Sequence, residues 1–124
     1  HYGLPIKMIL INNSCYGMVR QFQEQYFNSV FQSTVIGYSN PDFLKLALAY
    51  KIKALRIAVN SQVAKACKWL FADSKPALLD VKIPLHVKAL PKLSVNRPIE
   101  DQEPLLPRNE LNKLLINSLY HSNR

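Results

Sequence analysis

Apolar residues in this chain cluster in short runs that alternate with polar segments. Three runs have the length and the branched composition of β-strands, and they cover residues 6–11, 54–59 and 77–83. The first run is interrupted only by Lys7 and lies between Pro5 and a pair of asparagines. Short apolar runs with such boundaries are typical of strands that are buried on both faces of a parallel sheet.

Helical spacing of apolar residues appears between these runs. Asn40 followed by Pro41 indicates an N-cap and the first helical position of one helix, and Asn60 or Ser61 is expected to cap the next. The predicted helices cover residues 16–25, 41–50 and 61–73.

The predicted order is strand, helix, loop, helix, strand, helix, strand, which indicates an α/β fold with a doubly wound parallel sheet. Residues 26–40 form a long aromatic and polar loop, and such loops in compact domains are more often functional than idle. Three strands are few for such a sheet, and His1 lies in what reads as a helix end capped by Gly3. We therefore expect the chain to be the C-terminal part of a larger domain.

The character of the sequence changes at Pro84, since five prolines fall within residues 84–107. Proline neither donates to a β-ladder nor continues a helix, so we expect a domain at 1–83 followed by a separate tail at 84–124. The tail ends in an amphipathic helix predicted over 108–120. Such a helix needs an apolar surface, which belongs either to this protein, where the tail only braces the domain, or to a second subunit.

The net charge of +8 is spread over single lysines and arginines on nearly every predicted element. The sequence has no arginine-rich block and no zinc, helix-turn-helix or RNA-recognition motif, so nucleic acid is not an expected partner. No apolar run approaches the ~20 residues of a membrane-spanning helix, and no membrane partner is expected. Cys15 and Cys67 fit neither a metal-ligand spacing nor a disulfide framework, which favours a cytoplasmic location.

Small and polar side chains concentrate in the turn after the first strand, residues 12–18. Ligands of open parallel sheets bind at the carboxyl ends of the strands, where such turns lie. Magnesium takes oxygen ligands, and the side chain of Asn13 and the backbone carbonyl of Cys15 have suitable chemistry. The amide groups that begin the next helix would suit a diphosphate. Spacing alone leaves a second interpretation open, in which the asparagines only satisfy the backbone of the turn.

The segment YGLPIKMILINNSCYGMVRQFQEQYF resembles the C-terminal half of the cofactor-binding domain of thiamine diphosphate-dependent enzymes. It is similar in particular to the acetolactate synthase (acetohydroxyacid synthase) large-subunit family, in which a Gly-Asp-Gly segment precedes an Asn-Asn pair. The matching stretches are Asn12-Asn13, Gly17-Met18-Val19, Gln21-Phe22-Gln23, NPDFLKLALAY, KALRI and KPALLDVKI. The resemblance covers residues 1–83 without a large gap.

The resemblance implies roles for particular residues of the turn. Asn13 would bind Mg²⁺ through its side chain, and Cys15 would bind it through its backbone carbonyl, which tolerates any side chain. Tyr16, Gly17 and Met18 would contact the cofactor.

The resemblance also implies that Met18 and Phe22 line a substrate channel. Phe22 stands where many family members carry tryptophan, and its ring is narrower and lacks the indole N–H. Lys51 stands where the family commonly has glycine after a helix, and a non-glycine residue in a left-handed cap costs about 1 kcal/mol.

The implied parent enzyme uses thiamine diphosphate and Mg²⁺ to decarboxylate a 2-oxo acid and to join the product to a second carbonyl compound. It is expected to be a homo-oligomer, and the resemblance leaves open whether FAD binds elsewhere in it. The Gly-Asp-Gly carboxylate and the activating glutamate of the family do not occur in these 124 residues. We therefore expect no catalytic residues here and no activity from this fragment alone.

Two further interpretations stay open. The tail PKLSVNRPIEDQEPLLPRNEL resembles, more weakly, a branch of similar proteins associated with bacterial surface-sugar pathways. The chain could also be a non-catalytic assembly module, in which an exposed sheet edge and the tail helix mediate oligomerisation.

Overall fold

A computed structural model of the chain describes residues 4–115. The chain divides into two compact units, one that extends to Lys88 and one that begins at Ala89. The predicted boundary after residue 83 stays a prediction, as do the helix end at residues 1–3 and the helical residues after 115, which lie outside the described residues. None of the helices within the described range has the length and apolar character of a bilayer span.

The first unit contains three strands and three α-helices in the predicted order. They are β1 (Lys7–Asn12), α1 (Gly17–Tyr26), α2 (Phe43–Ala49), β2 (Lys53–Ile57), α3 (Val63–Leu70) and β3 (Ala77–Lys82). The two pairings of the sheet are both parallel. The predicted α/β class and the parallel sheet are therefore confirmed, with boundaries that differ by at most three residues.

The strand order is β1-β3-β2, so β3 is the central strand. Its register places Leu79 between Ile9 of β1 and Leu55 of β2. Helix α3 packs on the face of the sheet that carries Leu79, where Ala66 and Leu70 are buried. The core cluster consists of Ile57, Ala66, Leu70, Ala77 and Leu79, with Leu55, Trp69 and Val81 packed against it. Trp69 is thus a packing residue.

Strand β1 lies at the edge of the sheet and is not buried on both faces, so that prediction is wrong for the described residues. Ile9 is 53% exposed and Ile11 is 59% exposed. Helix α3 contacts β2 and β3, and within residues 4–115 nothing comparable covers the same face of β1. The apolar run is continuous in sequence, but of its apolar residues only Met8 and Leu10 are partly buried.

The opposite face of the sheet carries an ion pair whose acidic partner is buried. Asp80 lies at the centre of β3 with no exposed surface. The Nε group of Arg56 donates to its Oδ2 atom at 2.7 Å, and the Nη2 group donates to Oδ1 of Asp42 at 3.0 Å. The hydrogen bond to Asp80 raises the pKa of the Arg56 guanidinium above its ordinary value, so the arginine stays charged.

Helix α2 begins two residues later than the sequence pattern indicates. Asp42 is its N-cap, and Oδ1 of this residue accepts a hydrogen bond from the N–H of Leu44 at 3.1 Å. The prediction that Asn40 caps this helix is wrong, because its side chain donates to the carbonyl of Pro41 at 3.2 Å. A carboxylate that Arg56 already holds in place is the better cap.

The start of α3 also differs from the prediction, since neither Asn60 nor Ser61 caps it. Residues Asn60–Gln62 form a short 3₁₀ turn before the helix. The side-chain oxygen of Gln62 accepts from the N–H groups of Ala58 and Val59, at 3.0 and 3.3 Å. The side chain that satisfies the backbone here is thus a glutamine that reaches backwards.

Charged side chains connect the strands to the segment that follows α3. The ammonium group of Lys7 donates to the carbonyls of Asp73 and Lys75, at 2.8 and 2.5 Å. Lys53 pairs with the Asp73 carboxylate at 2.8 Å and lies 4.9 Å from the ring centroid of Trp69. The one polar residue inside the first apolar run therefore ties β1 to the α3–β3 connection.

The second unit contains a short antiparallel pair, β4 (Lys92–Leu93) with β5 (Gln102–Glu103), and helix α4 (Arg108–Leu114). The short strand pair was not expected from the sequence, whereas the helix begins at Arg108 as predicted. Asp101 is buried and pairs with Arg97 at 2.9 Å and Arg108 at 2.8 Å. The hydrogen bond from Arg108 is the largest cause that lowers the pKa of Asp101.

Replacement of Lys51 by glycine should stabilise the first unit. Lys51 follows α2 in the left-handed region, with φ of 57°. The N–H of Ile52 donates to the carbonyl of Ala47 at 2.9 Å, which closes the helix in the way that favours glycine at residue 51. We expect K51G to raise the free energy of unfolding by about 1 kcal/mol in urea titrations. The control K45G, inside α2, should lower it by about 0.5–1 kcal/mol. Equal destabilisation by both substitutions would contradict this account.

Replacement of Arg56 by methionine should destabilise the sheet, because it leaves the carboxylate of Asp80 buried and unpaired. Arg56 is partly exposed, so we expect a loss of about 2–3 kcal/mol rather than the larger cost of a fully buried pair. The double variant R56M/D80N should be more stable than R56M, since the uncompensated charge is then absent. Chemical denaturation of both variants measures the difference, and a double variant less stable than R56M would contradict the argument.

Candidate functional site at the end of the first strand

The turn between β1 and α1 has an irregular backbone that side chains hold in place. Oδ1 of Asn12 accepts from the N–H of Ser14 at 3.1 Å and from its hydroxyl at 3.4 Å. Ser14 adopts a left-handed conformation with φ of 56°, which is uncommon for a residue other than glycine or asparagine. Asn12 is buried at the end of β1, so its side chain supports the turn from within the sheet.

Asn13 and Gly17 approach each other closely. A Cβ atom built on Gly17 would lie 2.3 Å from Nδ2 of Asn13, far inside the contact distance. Oδ1 of Asn13 accepts a hydrogen bond from the N–H of Cys15 at 3.3 Å. The first residue of α1 must therefore lack a side chain if Asn13 is to keep its position at the end of the strand.

The thiol of Cys15 is not exposed at this turn. Its side chain is buried, and its Sγ atom lies 3.9 Å from the carbonyl oxygen of Leu85. Burial raises the pKa of the Cys15 thiol, so the group stays protonated at neutral pH. A protonated thiol is a poor metal ligand, which leaves the backbone carbonyl as the group that could coordinate a cation.

A lysine of the central strand joins the site. Lys82 is the register partner of Asn12, and its ammonium group donates to the hydroxyl of Ser14 at 2.8 Å. Sequence reasoning missed Lys82 because nothing in its local pattern marks it. The strand-end position was visible in the sequence, but its pairing with Asn12 depends on the register of two distant segments.

Tyr16, Met18 and Phe22 extend the site along α1. The N–H of Tyr16 donates to the carbonyl of Thr34 at 3.2 Å, and its ring meets that of Tyr38 edge-on at 4.7 Å. Met18 is 78% exposed and Phe22 is 44% exposed. Met18 and Phe22 are four residues apart and therefore share one side of the helix.

The long loop predicted over 26–40 is anchored to α1 by polar contacts. Gln23 donates to the carbonyl of Gln32 at 3.0 Å and accepts from the hydroxyl of Thr34 at 2.5 Å. The guanidinium of Arg20 lies 4.7 Å from the centroid of the Phe31 ring. Sequence reasoning interpreted these helix residues only as a match to a family pattern, and it missed that they fix the loop beside the turn.

The donor set of the turn fits a hard cation as part of a site. The available groups are one amide oxygen and one backbone carbonyl, which are ligand types that magnesium accepts. Among residues 4–115, no three side chains of His, Cys, Asp or Glu come together as a metal-binding group. Residues 12–18 themselves contain no Asp or Glu, so the turn offers neutral oxygens without the carboxylate that would supply most of the charge.

The start of α1 also fits an anion. Within the described chain, no side chain caps this ten-residue helix, and its first turn contains no acidic residue. The amide groups of that turn carry partial positive charge. Together with the close contact between Asn13 and Gly17, this places cation-binding and anion-binding groups within one short segment.

Most of the chain matches a known protein family. The profile of the family described as "Thiamine pyrophosphate enzyme, C-terminal TPP binding domain" matches residues 1–81. The chain belongs to this family. The fold described above, an α/β unit with a parallel sheet, is consistent with that membership.

Relatives in the family include acetolactate synthases of several organisms. The mitochondrial catalytic subunit of Saccharomyces cerevisiae is 33% identical over 92 residues, which are 74% of this chain and 13% of the relative. Isozyme 2 large subunit of Escherichia coli K12 is 39% identical over 80 residues, 64% of this chain and 14% of the relative. The large subunit of Pyropia yezoensis is 33% identical over 93 residues, 75% of this chain and 16% of the relative. The chain thus spans about one seventh of the length of these relatives.

Replacement of Gly17 by alanine should displace the side chain of Asn13. Alanine normally favours a helix over glycine by about 0.5–1 kcal/mol, so a gain in stability would be expected if space were free. Here the new methyl group would collide with Nδ2 of Asn13, and we expect G17A to be no more stable than the parent chain. The same substitution in an N13A background should show the helix gain. Urea titration of the four chains gives the coupling, and simple additivity would contradict the close contact.

Proposed function

We propose that this chain supplies the Asn13 half of a magnesium and diphosphate site in a thiamine diphosphate-dependent enzyme of the acetolactate synthase type. Membership of the family supports thiamine diphosphate as the cofactor. The observation that carries the metal assignment is the contact between Asn13 and Gly17, which keeps an amide side chain at the end of a parallel strand. The acetolactate synthase type is supported by relatives that carry this name.

In the proposed site, Asn13 and the carbonyl of Cys15 hold Mg²⁺, and the first-turn amides of α1, together with Tyr16, Gly17 and Met18, contact the cofactor. Thiamine diphosphate, when bound, supplies the electron sink for decarboxylation of a 2-oxo acid and for carbon–carbon bond formation.

Met18 and Phe22 form one wall of the proposed substrate channel, which is supported by their exposure on one side of α1. Phe22 leaves more room than tryptophan and offers no N–H donor, so the acceptor substrate of the parent enzyme differs from that of members with tryptophan. The parent is proposed to work as a homo-oligomer in the cytoplasm. No FAD contact is assigned to the described residues.

The 124-residue chain alone should bind thiamine diphosphate negligibly in the presence of Mg²⁺ and should have no activity. The reason is that the cation would lack a carboxylate ligand, and neutral oxygens alone compensate its charge and dehydration poorly. Isothermal titration calorimetry of the purified chain measures this directly. Binding with a micromolar dissociation constant would contradict the proposal that the chain holds only half of the site.

Weak binding by the half-site can be detected with Mn²⁺ as a paramagnetic probe in place of Mg²⁺. Traces of Mn²⁺ should broaden the amide signals of residues 13–17 in the ¹⁵N-labelled chain far more than those of residues in β1. The variant N13A should lose this local effect, whereas the control N28A, which removes an asparagine side chain from the loop, should keep it. Uniform broadening, or local broadening that survives in N13A, would exclude Asn13 as a ligand.

A second candidate function is assembly without catalysis, and the exposure of Ile9 and Ile11 at the edge of the sheet favours it. Within residues 4–115 only β3 pairs with β1, so the other edge of this strand is available for association. A stable dimer in light scattering, together with no local effect of Mn²⁺, would support this function over the first.

A further inference from the structure

Residues of two strands hold the turn that carries the proposed metal ligands. We propose that Lys82 and Ser14 are positioning residues, which act through the turn and fix the Asn13 side chain and the Cys15 carbonyl in the orientation that binds the cation. This inference rests on the proposed function, since it concerns the same site.

The first argument is a continuous chain of hydrogen bonds across the sheet. The ammonium group of Lys82 donates to the hydroxyl of Ser14 at 2.8 Å, and that hydroxyl donates to Oδ1 of Asn12 at 3.4 Å. Asn12 is buried, so its side chain is a fixed point within the fold. The hydroxyl of Ser14 is therefore held from both sides.

The second argument is the backbone conformation that these bonds maintain. Ser14 has φ of 56°, a region that costs a residue with a Cβ atom about 1 kcal/mol or more. The N–H of Ser14 donates to Oδ1 of Asn12 at 3.1 Å, and the N–H of Cys15 donates to Oδ1 of Asn13 at 3.3 Å. Ser14 lies directly between the two proposed ligands in the chain, so a change in its backbone angles would change the orientation of Asn13 relative to Cys15.

The positive charge of Lys82 distinguishes a positioning role from a purely electrostatic one. An ammonium group that close to a cation site opposes cation binding by simple electrostatics. If Lys82 acted only through its charge, its removal would strengthen the binding of a divalent cation. If it positions Ser14, its removal weakens binding, so the two roles predict opposite results.

The experiment uses the full 124-residue chain, with Mn²⁺ as the probe and local amide broadening as the readout. The variant S14A removes the hydroxyl and leaves the net charge unchanged. It should reduce the broadening at residues 13 and 15 by about tenfold, as is usual when a group that orients a metal ligand is lost. The variant S14G removes the same hydroxyl but favours the left-handed backbone, so it folds readily, and we expect a smaller loss than in S14A.

Lysine variants complete the test. K82M should reduce the local broadening by about tenfold despite the loss of a repelling charge. K82R keeps a charged donor at this position and should retain most of the broadening of the unsubstituted chain. Amide hydrogen exchange of residues 14 and 15 should become faster in K82M and in both Ser14 variants, because the turn is then held less firmly in the conformation that forms their hydrogen bonds.

Two matched controls separate positioning from general effects. S33A makes the same chemical change at another left-handed serine, which has φ of 62°, and K65M removes an exposed lysine of α3. Neither should change the local broadening. Unchanged broadening in S14A and K82M, or equal losses in S33A, would overturn the positioning role while the metal site stands. No local broadening in the unsubstituted chain would instead overturn the proposed function and this inference with it.

Discussion

Backbone hydrogen bonds between β1 and β3 fix the register of these two strands and thereby align their last residues. Their parallel register aligns Asn12 with Lys82, the last residue of each strand. From that alignment follow the bond between Lys82 and Ser14, the left-handed turn and the position of Asn13 beside Gly17. A shift by one residue would move Lys82 to the other face of the sheet and leave the turn without its support.

The two faces of this sheet have different physical roles. One face is apolar and packs against α3, where burial of leucine, isoleucine and alanine side chains supplies the stabilisation. The other face holds the Arg56–Asp80 pair and, at its end, the polar groups beneath the turn. Because the core lies on the other face, the sheet can present polar side chains at the ends of its strands without losing its apolar packing.

The existence and type of the main elements followed from the sequence, because apolar periodicity reports burial directly. Their boundaries did not, and α2 shows why. Pro41 is compatible with the first turn of a helix and also with the segment before it, and only Arg56 decides for Asp42 as the cap. Likewise, the first apolar run was interpreted as doubly buried, since a sequence does not reveal which strand becomes the edge.

The site was predictable to the extent that its residues are adjacent in the chain. The turn at residues 12–18 could be singled out by its small and polar side chains, and resemblance assigned roles within it. The contribution of Lys82 and the anchoring of the loop by Gln23 could not be anticipated, because they join segments far apart in sequence. The close contact that requires glycine at position 17 is visible only in three dimensions.

The shared arginine has a mechanical consequence for the layer formed by α2 and the sheet. Arg56 holds the cap of α2 with one nitrogen and the centre of β3 with another. Translation of α2 along its axis by one turn, about 5.4 Å, would break the first contact and leave the guanidinium held from one side. Shear-type sliding of this helix over the strands is thereby opposed.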